Sequence, residues 1–228
     1  MKIVLFDIDG TLLRTGGAGA LAFNKAFEEM YGIRDVWDNF DPSGRTDQEI
    51  ISELGKRALG YELSHLEKIE LGRRYVKYHG PFVRKAPRFR LMPGVPALLK
   101  MLAKQNYLLG LATGNFKETA HHKLKRGKIN RFFSFGGFGS DSYDRLTLTK
   151  RALERGLQIA GESFRKSGVV LIGDARQDIQ CGKELGLRTI GVATGSLSTK
   201  ELSRFKPDLL LENLLNSERI LEFIESRD

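Results

Sequence analysis

The chain has a single cysteine, Cys181, and no long apolar run. One thiol cannot form a disulfide within the chain, so nothing in the composition points to an oxidising compartment. The first apolar run, residues 3–6, ends at Asp7 and is too short for the hydrophobic part of a signal peptide. No stretch reaches the length that a membrane-spanning helix needs. We therefore expect a cytoplasmic protein without a membrane partner.

The composition is that of a folded globular chain. Of its 228 residues, 41% are hydrophobic and 29% are charged. These fractions are ordinary for globular proteins and exclude a disordered chain, a collagen and a coiled coil. The length predicts one large domain, or one domain that carries a smaller insert.

Positive charge is in excess and is concentrated in two places. The chain has 37 basic and 28 acidic residues, a net charge of +9, and segments 81–90 and 117–131 carry this excess. Such segments could bind nucleic acid, attract small anionic substrates or simply form solvated faces. Composition alone leaves these three possibilities open.

Short apolar runs alternate with amphipathic stretches of helical length over much of the chain. This alternation predicts an α/β fold in which helices cover a parallel, Rossmann-like sheet. The predicted strands are 3–6, 107–112, 132–138, 169–172, 189–192 and 209–211. The predicted helices of this core are 95–104, 146–157, 178–185 and 217–224.

Residues between about 13 and 91 break the alternation and predict an all-helical insert without strands. Its predicted helices are 18–31, 47–59 and 64–77, and Thr46 and Glu49 have the spacing of a capping box at the start of the second. We therefore predict a core formed by residues 1–14 and 92–228, and a cap formed by residues 15–91.

Three predicted strands end in polar motifs, which are 7–11 (Asp-Ile-Asp-Gly-Thr), 113–115 (Thr-Gly-Asn) and 173–178 (Gly-Asp-Ala-Arg-Gln-Asp). Ligands of open parallel sheets bind beyond the carboxyl ends of the strands. Paired carboxylates there can bind a divalent metal or share nucleophilic and acid–base roles. A hydroxyl and free N–H groups at a helix start suit a phosphate oxygen. Taken singly, each motif could also be a polar turn or a helix cap.

In combination and in this order, the motifs resemble those of the haloacid dehalogenase-like (HAD) hydrolase superfamily, most closely its phosphoglycolate phosphatase-like branch. The resemblance covers nearly the whole chain, including a helical cap inserted after the first motif. It implies that Asp7 is a nucleophile forming an aspartyl-phosphate and that Asp9 is the general acid and base. It also implies that Thr113 holds a phosphoryl oxygen. Residues expected to help bind the substrate are Gly10, Thr11, Gly114 and Asn115.

The resemblance further implies a Mg²⁺ cofactor. The ion would bind to Asp7, to the backbone carbonyl of Asp9 and to Asp174, with Asp178 as a further ligand or a support. Clustered carboxylates repel an anionic substrate, so the site also needs a basic side chain.

That basic side chain is where this sequence departs from the family's pattern. The family usually has a lysine ahead of the helix that leads to the last acidic motif, and here Arg145 has the matching offset. Arginine supplies the charge but is not interchangeable with lysine. Lys150, about one and a half turns later, is the alternative, and Arg145 could also be an ordinary surface residue.

The cap offers one further candidate. Arg45 is the only cation in segment 40–47, beside the predicted start of a helix. Related phosphatases cover the substrate with a loop in this part of the cap. We predict that Arg45 binds an anionic group of the substrate. Pairing of Arg45 with Asp41 or Asp47 would explain it equally well.

The predicted function is Mg²⁺-dependent hydrolysis of a small phosphomonoester, phosphoglycolate phosphatase-like. Dehalogenases lack the second aspartate, which this chain keeps as Asp9. A phosphosugar mutase of the same superfamily and a non-catalytic binding module on this fold are the alternatives. We expect a small phosphorylated metabolite as the partner, no nucleic acid, and a monomer or small homo-oligomer.

Overall fold

The computed structural model describes residues 2–161 and 168–226, and its centre is a six-stranded sheet. The strands of the chain are β1 (Ile3–Phe6), β2 (Leu13–Arg14), β3 (Arg90–Leu91), β4 (Leu108–Thr113), β5 (Phe135–Phe138), β6 (Val169–Gly173), β7 (Arg188–Val192) and β8 (Leu209–Leu211). The helices are α1 (Ala18–Tyr31), α2 (Asp47–Leu59), α3 (His65–Lys85), α4 (Val95–Lys104), α5 (Lys117–Arg126), α6 (Arg145–Ala160), α7 (Arg176–Glu184), α8 (Thr199–Ser203) and α9 (Ser217–Glu225).

All six strands of the central sheet run parallel, in the order β5-β4-β1-β6-β7-β8. β1 lies between β4 and β6, with Leu5 opposite Gly110 on one side and Leu171 on the other. The carboxyl ends of these three strands are therefore neighbours, and each of them leads into one of the three polar motifs. The predicted Rossmann-like sheet with an inserted helical cap is confirmed.

Both faces of the sheet are covered, as the continuous burial of β1 requires. Because side chains alternate along a strand, Val4 and Phe6 pack with α4 and α9, whereas Ile3 and Leu5 pack against α6 on the opposite face. None of the described helices has the length and apolar character to cross a membrane.

The cap helices α1, α2 and α3 have an apolar core of their own. It is built around Phe23, Phe27, Leu54 and Tyr75, which are all buried, and the Phe23 and Tyr75 rings stack with centroids 3.7 Å apart. α3 runs to Lys85 and includes Pro81, beyond the predicted end at residue 77.

The prediction that no strand occurs between residues 13 and 91 is wrong at its two ends. β2 and β3 pair there as an antiparallel ribbon, with Leu13 opposite Leu91 and Arg14 opposite Arg90. Strands of two residues are too short to show an alternating pattern in the sequence. The ribbon lies at the predicted junctions between core and cap, and the domain boundaries themselves stay a prediction.

Candidate active site

Three carboxylates converge at the carboxyl edge of the sheet. Asp7 follows β1, Asp174 follows β6 and Asp178 lies in the first turn of α7, and each offers an oxygen within 4.8 Å of the others. All three are buried, with relative exposures of 6%, 6% and 2%. Asp178 is fixed by the N–H of Ala175, which donates to its Oδ2 at 3.0 Å.

This cluster is electrostatically unfavourable without a cation. Burial raises the pKa of Asp7 to about 7, against the lowering effect of Arg145. Burial, together with the charges of Asp7 and Asp178, also raises the pKa of Asp174 well above its usual range. A divalent cation removes this penalty, and three carboxylate oxygens are the ligands that Mg²⁺ prefers. The residues present therefore fit the expected metal.

Arg145 is the cation that reaches the cluster. It is the first residue of α6, and its Nη2 donates to Oδ1 of Asp7 at 2.8 Å and to Oδ1 of Asp178 at 2.5 Å. Its side chain is only 10% exposed, and its buried Nε has no hydrogen-bond partner among the residues that the structure describes. Lys150, the alternative, is exposed on α6.

Asp9 is more exposed than the buried cluster and is held by two side chains. Its side chain is 47% exposed. Asn115 donates from Nδ2 to Oδ2 of Asp9 at 2.8 Å and to Oγ1 of Thr113 at 2.7 Å. Lys123 donates from Nζ to the same oxygen of Asp9 at 2.5 Å, and also to Oδ1 of Asn115. The predicted residues of the first two motifs are thus linked directly.

Lys123 was missed as an individual site residue in the sequence-based reasoning. It lies on the buried face of α5, where its neighbours Thr119, Ala120 and Leu124 are also buried. A lysine in a buried stripe is rare unless it is paired. The position of Lys123 among apolar and small residues of an amphipathic helix is the sequence feature that would have indicated its role.

The two glycines predicted to help bind the substrate permit close approach of other parts of the chain. Gly10 has φ +87°, and a Cβ there would overlap the carboxylate of Asp174. A Cβ at Gly114 would overlap the backbone of the cap at Arg45. Thr11 is fully buried and donates from Oγ1 to Oδ1 of Asp174 at 2.6 Å, so its hydroxyl supports the carboxylate cluster.

The site opens into a cavity of about 680 Å³ between core and cap. Its lining includes most of the predicted site residues and several arginines: Asp7, Asp9, Gly10, Arg14, Arg45, Arg88, Arg90, Thr113, Gly114, Asn115, Lys123, Arg145 and Asp174. The cavity is therefore rich in cations around its acidic floor.

Arg45 lines this cavity but already has partners in the cap. Its guanidinium forms an ion pair with Glu53 of α2, and its Nε donates to the backbone carbonyl of Asp41 at 3.2 Å. The expected carboxylate partners, Asp41 and Asp47, are used elsewhere. The Asp41 side chain accepts from Ser43, whereas that of Asp47 is buried against the core.

Asp47 joins the cap to the core and was not singled out as a site residue in the sequence. It is the first residue of α2, and its Oδ2 accepts from the N–H of Phe116 at 2.8 Å and from Oγ1 of Thr119 at 2.9 Å. Its own N–H donates to the carbonyl of Gly114 at 2.8 Å. Burial raises the pKa of Asp47 to about 6.

Comparison with known proteins agrees with this geometry. A family model described as haloacid dehalogenase-like hydrolase matches residues 4–192. The chain belongs to the haloacid dehalogenase-like hydrolase family. This match covers all three motifs and confirms the family predicted from them.

Relatives of this HAD family member include phosphatases. The chain is 25% identical over 214 residues to a phosphoglycolate phosphatase from Synechococcus elongatus, covering 93% of each chain. It is also 25% identical over 217 residues to the pyrophosphatase PpaX from Oceanobacillus iheyensis, covering 94% of each. The fold matches the crystal structure of a predicted phosphatase from Clostridium acetobutylicum with a TM-score of 0.76 at 18% identity, covering 97% and 98% of the two chains. The prediction of an HAD-family phosphatase is confirmed.

Proposed function

We propose that this HAD-family enzyme hydrolyses a small phosphomonoester, with Mg²⁺ as cofactor and with an aspartyl-phosphate formed on Asp7, in the manner of a phosphoglycolate phosphatase. The observation that carries the proposal is that Asp7, Asp9, Thr113 and Arg145 line one cavity beside the buried carboxylates. In the proposed mechanism these residues supply a nucleophile, an acid–base group, a hydroxyl and a cation around one space.

Each residue then has a chemical task. A carboxylate oxygen of Asp7 attacks phosphorus, the bond to the leaving oxygen breaks, and Asp9 gives that oxygen a proton. Asp9 then takes a proton from the water that attacks the phosphorus of the intermediate, which releases inorganic phosphate and restores Asp7. Arg145 lowers the pKa of Asp7 and so favours the carboxylate that attacks.

The substrate's phosphoryl group needs further positive charge and hydrogen-bond donors. Asp7, the carbonyl of Asp9, Asp174 and Asp178 would hold Mg²⁺, which supplies positive charge against the phosphoryl oxygens when bound. The buried Nε of Arg145, which lacks a partner within residues 2–161 and 168–226, is a free donor for one such oxygen.

The arginines of the cavity support a substrate with a second negative group. Arg88 and Arg90 line it beside the ribbon, and no ion pair engages either within the described part of the chain. A phosphorylated acid such as phosphoglycolate has a carboxylate that this positive surface would attract. Pyrophosphate also carries a second negatively charged group, and the relative from Oceanobacillus iheyensis is named a pyrophosphatase.

The test distinguishes the role of Asp7 from that of Asp9 by how the loss of activity in each variant depends on the leaving group of the ester. Asp7→Asn should abolish turnover of both p-nitrophenyl phosphate and ethyl phosphate, because the nucleophile is lost. Asp9→Asn should lose about 10²–10⁴-fold on ethyl phosphate, whose leaving group needs a proton, and much less on p-nitrophenyl phosphate. Asp38→Asn, on the exposed cap surface, is the control and should change neither rate. Equal losses on the two esters for Asp9→Asn would contradict the acid role.

A metabolite panel then identifies the substrate class. We expect phosphoglycolate to be hydrolysed with a higher kcat/KM than pyrophosphate or glucose 1-phosphate, with activity lost in EDTA and restored by Mg²⁺. Conversion of glucose 1-phosphate into glucose 6-phosphate without release of phosphate would instead favour a mutase. The cytoplasmic location and the monomeric or small homo-oligomeric state stay predictions.

A further inference from the structure

Lys123 is a charged side chain in a place where the sequence pattern calls for an apolar one. Its side chain is only 6% exposed, and it lies on the face of α5 that also buries Thr119, Ala120 and Leu124. A buried ammonium group is stable only with close acceptors. Its location is therefore set by what it binds.

The acceptors of Lys123 belong to the first two motifs. Nζ donates to Oδ2 of Asp9 at 2.5 Å and to Oδ1 of Asn115. The amide of Asn115 closes the arrangement, since its Nδ2 donates to the same Oδ2 of Asp9 at 2.8 Å. One oxygen of Asp9 thus receives two donors from residues that also bind each other.

The second oxygen of Asp9 is left free by this arrangement. No side-chain hydrogen bond reaches Oδ1 from the residues that the structure describes, and Asp9 lines the cavity with its side chain 47% exposed. A carboxylate held by one oxygen cannot turn freely, so the free oxygen keeps one orientation. Fixed geometry of a reacting group lowers the entropic part of the barrier.

We propose that Lys123 is the positioning residue of Asp9, and that with Asn115 it fixes Oδ2 so that Oδ1 carries the proton. The proposal rests on the proposed function. In the first step the proton of Oδ1 passes to the leaving oxygen as its bond to phosphorus breaks. In the second step Oδ1 takes a proton from the attacking water. Lys123 itself exchanges no proton and need not touch the substrate.

A different role for Lys123 makes different predictions. If it bound the phosphoryl group directly, its loss would raise KM, would affect all phosphate esters alike and would occur whether or not Asp9 is present. If it acts through Asp9, its loss should lower kcat, should be greatest for poor leaving groups and should disappear once Asp9 is inactive.

The experiment is a double-mutant cycle with Lys123→Met, Asp9→Asn and the double variant, each assayed on p-nitrophenyl phosphate and ethyl phosphate. We expect Lys123→Met to lower kcat on ethyl phosphate by up to about 10²-fold, the scale of a misplaced catalytic group. The loss on p-nitrophenyl phosphate should be several-fold smaller, with KM nearly unchanged. In the Asp9→Asn background the same substitution should have almost no effect.

Lys125→Met is the matched control, because Lys125 is an exposed lysine of the same helix. It should leave both rates unchanged. Melting curves establish that each variant is folded, and Lys123→Gln, which is also uncharged but keeps a donor, replaces Lys123→Met in the cycle if the methionine variant does not fold. Lys123→Gln should show the same dependence on the leaving group with a smaller loss.

The outcomes separate this proposal from the proposed function. If Asp9→Asn shows its leaving-group dependence while Lys123→Met raises KM, or loses activity equally in both backgrounds, the positioning role is overturned and the proposed function stands. If Asp9→Asn itself loses equally on the two esters, the acid–base role of Asp9 is overturned, and the positioning role falls with it.

Discussion

Replacing Asp47 with asparagine should change how the stability of the protein depends on pH. The Asp47 side chain lies in the interface between cap and core, where the residue is 5% exposed and its Oδ2 accepts from the N–H of Phe116 and the hydroxyl of Thr119. Asparagine has the same shape and keeps an acceptor oxygen for these two donors, but it does not titrate. It replaces Oδ1, which accepts from the Tyr75 hydroxyl at 3.5 Å, with an amide group. That change does not depend on pH, so the pH-dependent part of the effect reports the charge of Asp47.

The direction in which the free energy of unfolding changes with pH follows from the direction of the pKa shift of Asp47. Burial raises the pKa of Asp47 from 3.8 to about 6, against the opposing effects of Lys123 and of the hydrogen bonds from Phe116 and Thr119. Between these two values the folded protein binds more protons at this site than the unfolded chain does. The contribution of Asp47 to the free energy of unfolding is therefore greatest below about pH 4 and is lost as the pH rises through about 6. A rise of this size corresponds to about 3 kcal/mol.

The assay is urea unfolding of the wild type and of Asp47→Asn at several pH values from 4 to 7, at constant ionic strength. Because the other groups are shared, the difference in unfolding free energy reports the titration of Asp47 and its effect on its charged neighbours. Between pH 4 and pH 7 we expect the wild type to lose about 2 kcal/mol relative to the variant. Asp38→Asn, at an exposed position of the cap, is the control for the same chemical change outside the interface. A difference that stays constant, or that moves in favour of the wild type as the pH rises, would refute the reasoning.

Two substitutions of cations test the rest of the cavity. Arg145→Ala should lower kcat/KM for p-nitrophenyl phosphate by about 10–100-fold, since hydrogen bonds to charged groups contribute about 1.5–3 kcal/mol, whereas exposed Lys150→Ala should have little effect. A larger loss for Lys150→Ala would contradict this assignment. Arg45→Ala should raise KM for phosphoglycolate and leave p-nitrophenyl phosphate nearly unchanged. Equal damage to both substrates with a lower melting temperature would instead show that the pair with Glu53 shapes the loop.

The arrangement of the acidic motifs could be predicted because each directly follows a buried strand. Asp7 comes immediately after β1 and Asp174 immediately after β6, so parallel pairing of neighbouring strands is enough to bring them together. The start of α2 was also predictable from local spacing. The Thr46 hydroxyl accepts from the N–H of Glu49. The Glu49 side chain accepts from the N–H of Thr46 at 2.7 Å.

Contacts between cap and core could not be predicted in this way. Asp47 and Phe116 are far apart in the sequence. No periodic pattern in the sequence indicates that the Asp47 carboxylate of the cap accepts from the N–H of Phe116 at the start of α5 in the core. The partner of Arg45 was missed for a related reason. Sequence proximity favoured Asp41 or Asp47, but Glu53 lies almost two turns along α2 and is reached only once the loop folds back on the helix.

The positively charged side chains are unevenly distributed among the carboxylates of the site. Arg145 contacts both Asp7 and Asp178, and Lys123 contacts Asp9, so each of these three acids has a cation beside it. Asp174 has no ion-pair partner within residues 2–161 and 168–226, and burial with the neighbouring acids raises its pKa well above the usual range. A positive charge close to Asp174 would offset this cost of ionising its carboxyl group. Among these carboxylates, Asp174 therefore remains for the proposed Mg²⁺ to balance.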